Sequence, residues 1–122
     1  MPASSILVVE DDAQLRSTLI RFLQQEGYVA RGASDGKAAL ACLRQEPFDI
    51  VLLDMHLPRV DGWDVVRSIR ERKLNTSIVV LTAAESARKV AEEVGATGYV
   101  AKPFALLHLL RVLERSLDQN VA

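Results

Sequence analysis

Residues 6–12 read Ile6-Leu7-Val8-Val9-Glu10-Asp11-Asp12, four apolar residues followed at once by three acids. An apolar run with no polar alternation fits a strand buried on both faces. The same pattern returns at residues 49–54, Asp49-Ile50-Val51-Leu52-Leu53-Asp54, and at residues 77–82, Ser77-Ile78-Val79-Val80-Leu81-Thr82. Between these runs the apolar period becomes helical. Leu15, Leu19, Phe22 and Leu23 fall on one helical face, and Gly27 offers a C-terminal stop. Residues 28–33 read as a weaker strand and 36–45 as a helix with Leu40 and Leu43 inward, halted by Pro47. Gly62 precedes a third helix carrying Val65, Val66 and Ile69. A short helix over 86–94, ended by Gly95, a brief strand over 99–101 and a leucine-rich helix over 105–117 complete the chain.

Five strand–helix pairs in alternation mean βαβ units, and right-handed crossovers place helices on both sides of a parallel sheet. The expected fold is α/β, a doubly wound five-stranded parallel sheet with five helices. At 122 residues, residues 1–122 form one domain with no second, output domain visible. An apolar fraction of 49% excludes a disordered chain. Fifteen Lys and Arg against 16 Asp and Glu leave a net charge of -1, which argues against direct nucleic-acid binding. Cys42 is the single cysteine, so no intrachain disulfide is implied. The apolar run at 6–9 is too short for a signal or membrane helix, and a cytoplasmic protein without membrane association is expected.

Sheets of this kind bind ligands at the carboxyl ends of their strands. The residues there are Glu10, Asp11 and Asp12 after the first strand, Asp54 after the third, Thr82 after the fourth and Lys102 after the fifth. Clustered carboxylates repel, and a divalent cation relieves that repulsion. A carboxylate can attack phosphorus to give an acyl phosphate, while a hydroxyl and an ammonium neutralise the transferred oxygens. Each residue alone has a plainer use: Asp11 or Asp12 as a helix cap, Asp54 as a turn residue ahead of Pro58, Thr82 as a cap, Lys102 as a solvated lysine. The force lies in four strands each ending in a group that one reaction needs.

Four stretches carry a resemblance: residues 6–12, residues 54–62 (Asp54-Met55-His56-Leu57-Pro58-Arg59-Val60-Asp61-Gly62), Leu81-Thr82-Ala83, and residues 95–104, which include Gly98-Tyr99-Val100-Ala101-Lys102-Pro103-Phe104. The chain resembles the receiver domain of bacterial two-component response regulators, over essentially its whole length. The resemblance implies the flavodoxin-like strand order 2-1-3-4-5. It implies Asp54 as phosphoacceptor, taking a phosphoryl group from a phosphohistidine on a sensor histidine kinase or a phosphotransfer protein. It implies Mg²⁺ (or Mn²⁺) held by Glu10, Asp11, Asp54 and the backbone carbonyl of Met55, with Asp11 ligating directly and Glu10 through water. Asp12 falls one place beyond that pair and is left to cap the first helix. Lys102 would contact the phosphoryl oxygens, Thr82 would move toward them, Tyr99 would turn inward in response, and Ala83 would keep the site open. The Lys102–Pro103 bond would be cis. A signalling module rather than an enzyme is implied, with self-phosphorylation and self-dephosphorylation as its only chemistry.

Gly95 follows Thr82 by 13 positions, about half a helical turn fewer than the family pattern, which shortens the fourth helix. His56 and Ala84 border the path of an attacking water. His56 and His108 lack zinc-ligand spacing. Cys42 reads as a half-buried structural thiol, and Trp63 as packed against the third helix. Val90, Val94, Leu106 and Leu110 are expected to form an apolar output face for an unidentified downstream partner or a phosphorylation-dependent homodimer. Two alternatives accompany this reading. One is a Mg²⁺-dependent phosphohydrolase using Asp54 as nucleophile, although the acid/base position two residues on is His56 and there is no room for a cap domain. The other is the receiver fragment of a longer regulator, with residues 118–122 as a linker.

Overall fold

The computed structural model describes residues 3–55, 62–83 and 85–119. Its elements alternate as β1 (Ser5–Val9), α1 (Ala13–Gln25), β2 (Val29–Ala33), α2 (Gly36–Gln45), β3 (Ile50–Asp54), α3 (Gly62–Glu71), β4 (Ser77–Ala83), α4 (Ala87–Val94), β5 (Gly98–Lys102) and α5 (Leu106–Gln119). All pairings are parallel, and the strand order is β2-β1-β3-β4-β5.

The unbroken apolar runs have a direct cause. Successive strand residues point to opposite faces, and both faces are covered. Leu7, Val9, Val51, Leu53, Ile78 and Val80 pack with Ala39 and Leu43 of α2, Val65, Val66 and Ile69 of α3, and Val94 of α4. Ile6, Val8, Ile50, Leu52, Val79, Leu81 and Val100 pack with Leu19 and Leu23 of α1 and Leu109, Val112 and Leu113 of α5. Each fully buried aliphatic side chain contributes about 1.5–3 kcal/mol.

Helix ends follow local chemistry. The Asp12 carboxylate accepts from the amides of Gln14 and Leu15, capping α1. Gly95 ends α4 in the left-handed region at φ 71°. Cys42 is half-buried against the α2–α3 side of the core, and burial raises its thiol pKa, which suits an inert structural role. Trp63 is 40% exposed and borders a hollow with Val66 and Arg70 of α3 and Glu93 of α4. Asp118 belongs to α5 and not to a linker. His56 and Ala84 lie outside the described residues.

Of the expected output residues, Val94 is corrected: it is buried, whereas Val90, Leu106 and Leu110 are half-buried. Val90 and Val94 face the core on one side of the sheet, Val94 being only 1% exposed. Leu106 packs against the cluster on the other side, and Leu110 is half-buried. The α4 and α5 residues are divided between the two faces because the sheet passes between them. Tyr99 at 41% and Leu107 at 68% are the exposed large apolar residues of β5 and α5.

Urea denaturation checks this division. Leu113→Ala is expected to cost about 2–5 kcal/mol, Val94→Ser to destabilise by burying a hydroxyl without a partner, and Leu107→Ser to change stability by less than about 0.5 kcal/mol.

Candidate functional site

The strands run further than the apolar runs indicated. Asp54 is the last residue of β3, Thr82 and Ala83 end β4, and Lys102 ends β5. The parallel ladder registers Asp54 with Leu81, Thr82 with Ala101 and Ala83 with Lys102. Asp54, Thr82, Ala83 and Lys102 are thus fixed by strand backbone rather than held on loops. Glu10 directly follows β1, and its N–H donates to the Ala33 carbonyl at 3.1 Å. Gly62 opens α3 close to Met55: a Cβ there would meet the Met55 Cα at 3.0 Å. Its place in the 54–62 stretch was legible; its packing reason was not.

Strand parity puts Glu10, Asp54 and Lys102 on the α1–α5 side, in step with Val8, Leu52 and Val100. Lys102 Nζ donates to Glu10 Oε1 at 2.8 Å and to Asp54 Oδ2 at 3.2 Å. Glu10 is fully buried and Asp54 is 3% exposed. Asp11 stands at the surface beside them. One carboxylate oxygen from each of Glu10, Asp11 and Asp54 lies within 4.8 Å of the others.

The electrostatics follow from that spacing. A hydrogen bond with Glu10, partial desolvation and the Glu10 charge together raise the Asp11 pKa above its usual 3.8. Burial works to lower the Lys102 pKa, yet hydrogen bonds and charges from Glu10 and Asp54 outweigh it, so the ammonium is held more firmly than usual. Three carboxylates against one ammonium leave a formal excess of two negative charges, which suits a divalent cation with oxygen ligands. The donor set therefore fits Mg²⁺ or Mn²⁺.

Thr82 is 1% exposed, and its Oγ1 has no hydrogen-bond partner among the described residues. A buried hydroxyl in this state needs an explanation, and a ligand at the groove is one. It lines a groove of about 790 Å³ with Asp11, Asp54, Lys102, Leu15 and Phe104. Tyr99 has the parity of Val80 and Thr82, on the α4 side, and its ring is directed toward solvent. Lys102–Pro103 is cis. The structure thus brings Glu10, Asp11, Asp54, Thr82, Ala83 and Lys102 to one edge, with Met55 adjacent and buried.

Asp11 supplies a pH test. Its pKa in the folded state lies above that of the unfolded chain, so folding is favoured while it is protonated. That contribution is complete below the unfolded value and is lost as pH rises through the raised one. Metal-free protein with Asp11→Asn should therefore melt higher than the parent at neutral pH, with the gap closing toward pH 3. Mg²⁺ should raise the melting temperature of the parent and act far less on the variant.

The profile of the response regulator receiver domain matches residues 6–114. The regulatory protein SphR of Synechococcus elongatus is 39% identical over 97% of this chain and 52% of its own length. The response regulator MprA of Mycolicibacterium vanbaalenii is 42% identical over 86% of this chain and 46% of its own. The chain spans about half the length of these curated relatives. Among solved structures, the chemotaxis response regulator CheY4 of Vibrio cholerae superposes with a TM-score of 0.86 at 34% identity, covering 94% of this chain and 99% of that one. The response regulator TrrA of Thermotoga maritima, solved in complex with Mg²⁺ and BeF, gives 0.83 at 31% identity, covering 93% and 99%. Among the described residues no helix is long and apolar enough to cross a membrane. Profile, relatives and fold agree on one assignment: this chain belongs to the receiver domains of response regulators, the signalling modules of phosphorelays.

Proposed function

We propose that Asp54 is the phosphoacceptor of this receiver, charged from a phosphohistidine on a sensor histidine kinase or a phosphotransfer protein in the cytoplasm. An Asp54 carboxylate oxygen forms the bond to phosphorus as the phosphorus–nitrogen bond to the imidazole breaks, and the departing imidazole takes up a proton. The observation that carries the reading is the Thr82 hydroxyl, without a partner among the described residues and buried beside three clustered carboxylates, two of which Lys102 spans. Glu10, Asp11 and Asp54, with the Met55 carbonyl, would hold Mg²⁺, which supplies charge neutralisation to the transferred oxygens. Lys102 is placed to exchange its Asp54 contact for a phosphoryl oxygen. Ala83 leaves the Lys102 arm room to cross β4.

Thr82 then carries the signal. Its hydroxyl gains an acceptor when a phosphoryl group arrives at Asp54, drawing the end of β4 inward. Tyr99, on the same side of the next strand, follows into the space released. A difference of a few kcal/mol between the two arrangements suffices for a phosphoryl group to shift the population. The readout is a changed surface around Tyr99, offered to a downstream protein or to a second copy of the chain.

A small acyl-phosphate or phosphoramidate donor should add one phosphoryl mass to the intact protein. Asp54→Asn or a chelator should abolish the addition. Retention of the mass in Asp54→Asn would sink the assignment. Thr82→Ala should still accept the phosphoryl group, while its Tyr99 ring resonances keep their unphosphorylated shifts.

A further inference from the structure

We propose that Arg16 is a positioning residue for the metal-binding acids, acting through the peptide that joins Glu10 to Asp11. The inference rests on Glu10, Asp11 and Asp54 forming the Mg²⁺ site. Arg16 stands at the start of α1, and its Nη1 donates to the Glu10 carbonyl at 2.8 Å. The Glu10 N–H is already committed to the Ala33 carbonyl of β2. Both peptide groups of Glu10 are therefore held, one by the sheet and one by a guanidinium.

The second peptide matters most, because the Glu10 carbonyl lies in one plane with the Asp11 nitrogen. Asp11 is exposed, so little packing confines its side chain. The plane it departs from sets where its carboxylate can reach. A guanidinium is a planar, permanently charged donor, and a charge-assisted bond to a carbonyl is a firm hold.

Gly32 of β2 supports the same arrangement independently. A Cβ there would lie 2.7 Å from Ile20 Cδ1, 3.2 Å from Arg16 Cδ and 3.3 Å from Arg16 Cγ. The Arg16 stem thus crosses β2 where that strand has no side chain. The first turn of α1 is itself secured, with the Arg16 N–H on the Asp12 carbonyl at 2.9 Å and the Asp12 carboxylate capping the helix.

Charge and positioning predict opposite signs, which makes the idea testable. A cation near three carboxylates opposes a divalent ion, so loss of the charge alone would tighten metal binding. Loss of the tether would loosen it. Mn²⁺ binding to the full chain is measured from the free-ion electron paramagnetic resonance signal, with circular dichroism as the check on folding. Arg16→Met should weaken Mn²⁺ binding about tenfold, the scale on which supports of metal ligands act. Its Asp54 phosphorylation should be slow at limiting Mg²⁺ and restored at saturating Mg²⁺. Arg16→Lys keeps the charge but not the fork, and should also bind more weakly. Gly32→Ala should do the same with Arg16 intact, by displacing its stem. Equal or tighter binding by folded Arg16→Met overturns the proposal. If that variant does not fold, unchanged affinity in both Arg16→Lys and Gly32→Ala overturns it. Binding lost in Asp11→Asn yet unaltered in the Arg16 and Gly32 variants would refute only the role of Arg16. Absence of specific Mn²⁺ binding in the parent chain would refute the metal site as well.

Discussion

Glu10 and Asp54 are buried at the end of the sheet, and one ammonium reaches both. A carboxylate removed from water without compensation costs several kcal/mol. Lys102 lies 92 residues from Glu10 and 48 from Asp54 along the chain, so the contact exists only when the sheet is complete. The order β2-β1-β3-β4-β5 makes its arm cross the end of β4. Ala83, registered with Lys102 and sharing its parity, is the residue beneath that path. A long side chain there would stand between the ammonium and both acids. Fold and site therefore depend on one another: the parallel order creates the span, and the span neutralises acids that the order has buried.

One ammonium is not enough for three acids. Asp11, the exposed member of the group, has its pKa raised by its hydrogen bond with Glu10 first, then by partial desolvation and the Glu10 charge. This divides the labour among the acids. Glu10 and Asp54, both buried, are tied to Lys102, whereas Asp11 faces solvent at the mouth of the groove. Asp11 would be the first of the three acids to meet an ion arriving from water, and Mg²⁺ typically keeps several waters in such oxygen-rich sites. The same geometry explains the plain role of Asp12. One residue further along, its carboxylate is consumed by the amides of Gln14 and Leu15.

The fold was legible because the three strongest strands are buried on both faces, which leaves an unmistakable continuous apolar run. The acids, Thr82 and Lys102 were legible as the residues ending those runs. Their exact footing was not, since an apolar run stops at the first polar side chain while the ladder continues through Asp54, Ala83 and Lys102. The burial of Val94 was hidden for a related reason. Helical periodicity shows which residues of α4 and α5 share a face but not on which side of the sheet each helix lies. Val94 and Leu106 read alike as apolar helix residues, yet they join different cores. Arg16 and Gly32 carry no pattern at all. Their pairing needs β2 laid beside α1, a contact that sequence spacing does not record.

Strand parity finally separates the residues of the proposed phosphoryl site from those of the proposed readout. Glu10, Asp54 and Lys102 belong to the α1–α5 side, while Thr82 and Tyr99 follow the parity of the α4 side. Thr82 alone of these five both borders the groove and shares that second parity. The element it adjoins is weakly anchored. With eight residues, α4 is too short to be stable by itself. Its inward positions include Ala87 and Ala91, whose small side chains contribute little burial. Among the described residues, no side-chain hydrogen bond caps its N-terminus at Ser86. A helix so held can be displaced at small cost while the leucine-rich α5 stays in place. The helix beside Thr82 is thus the shorter of the two that flank β5, eight residues against fourteen in α5.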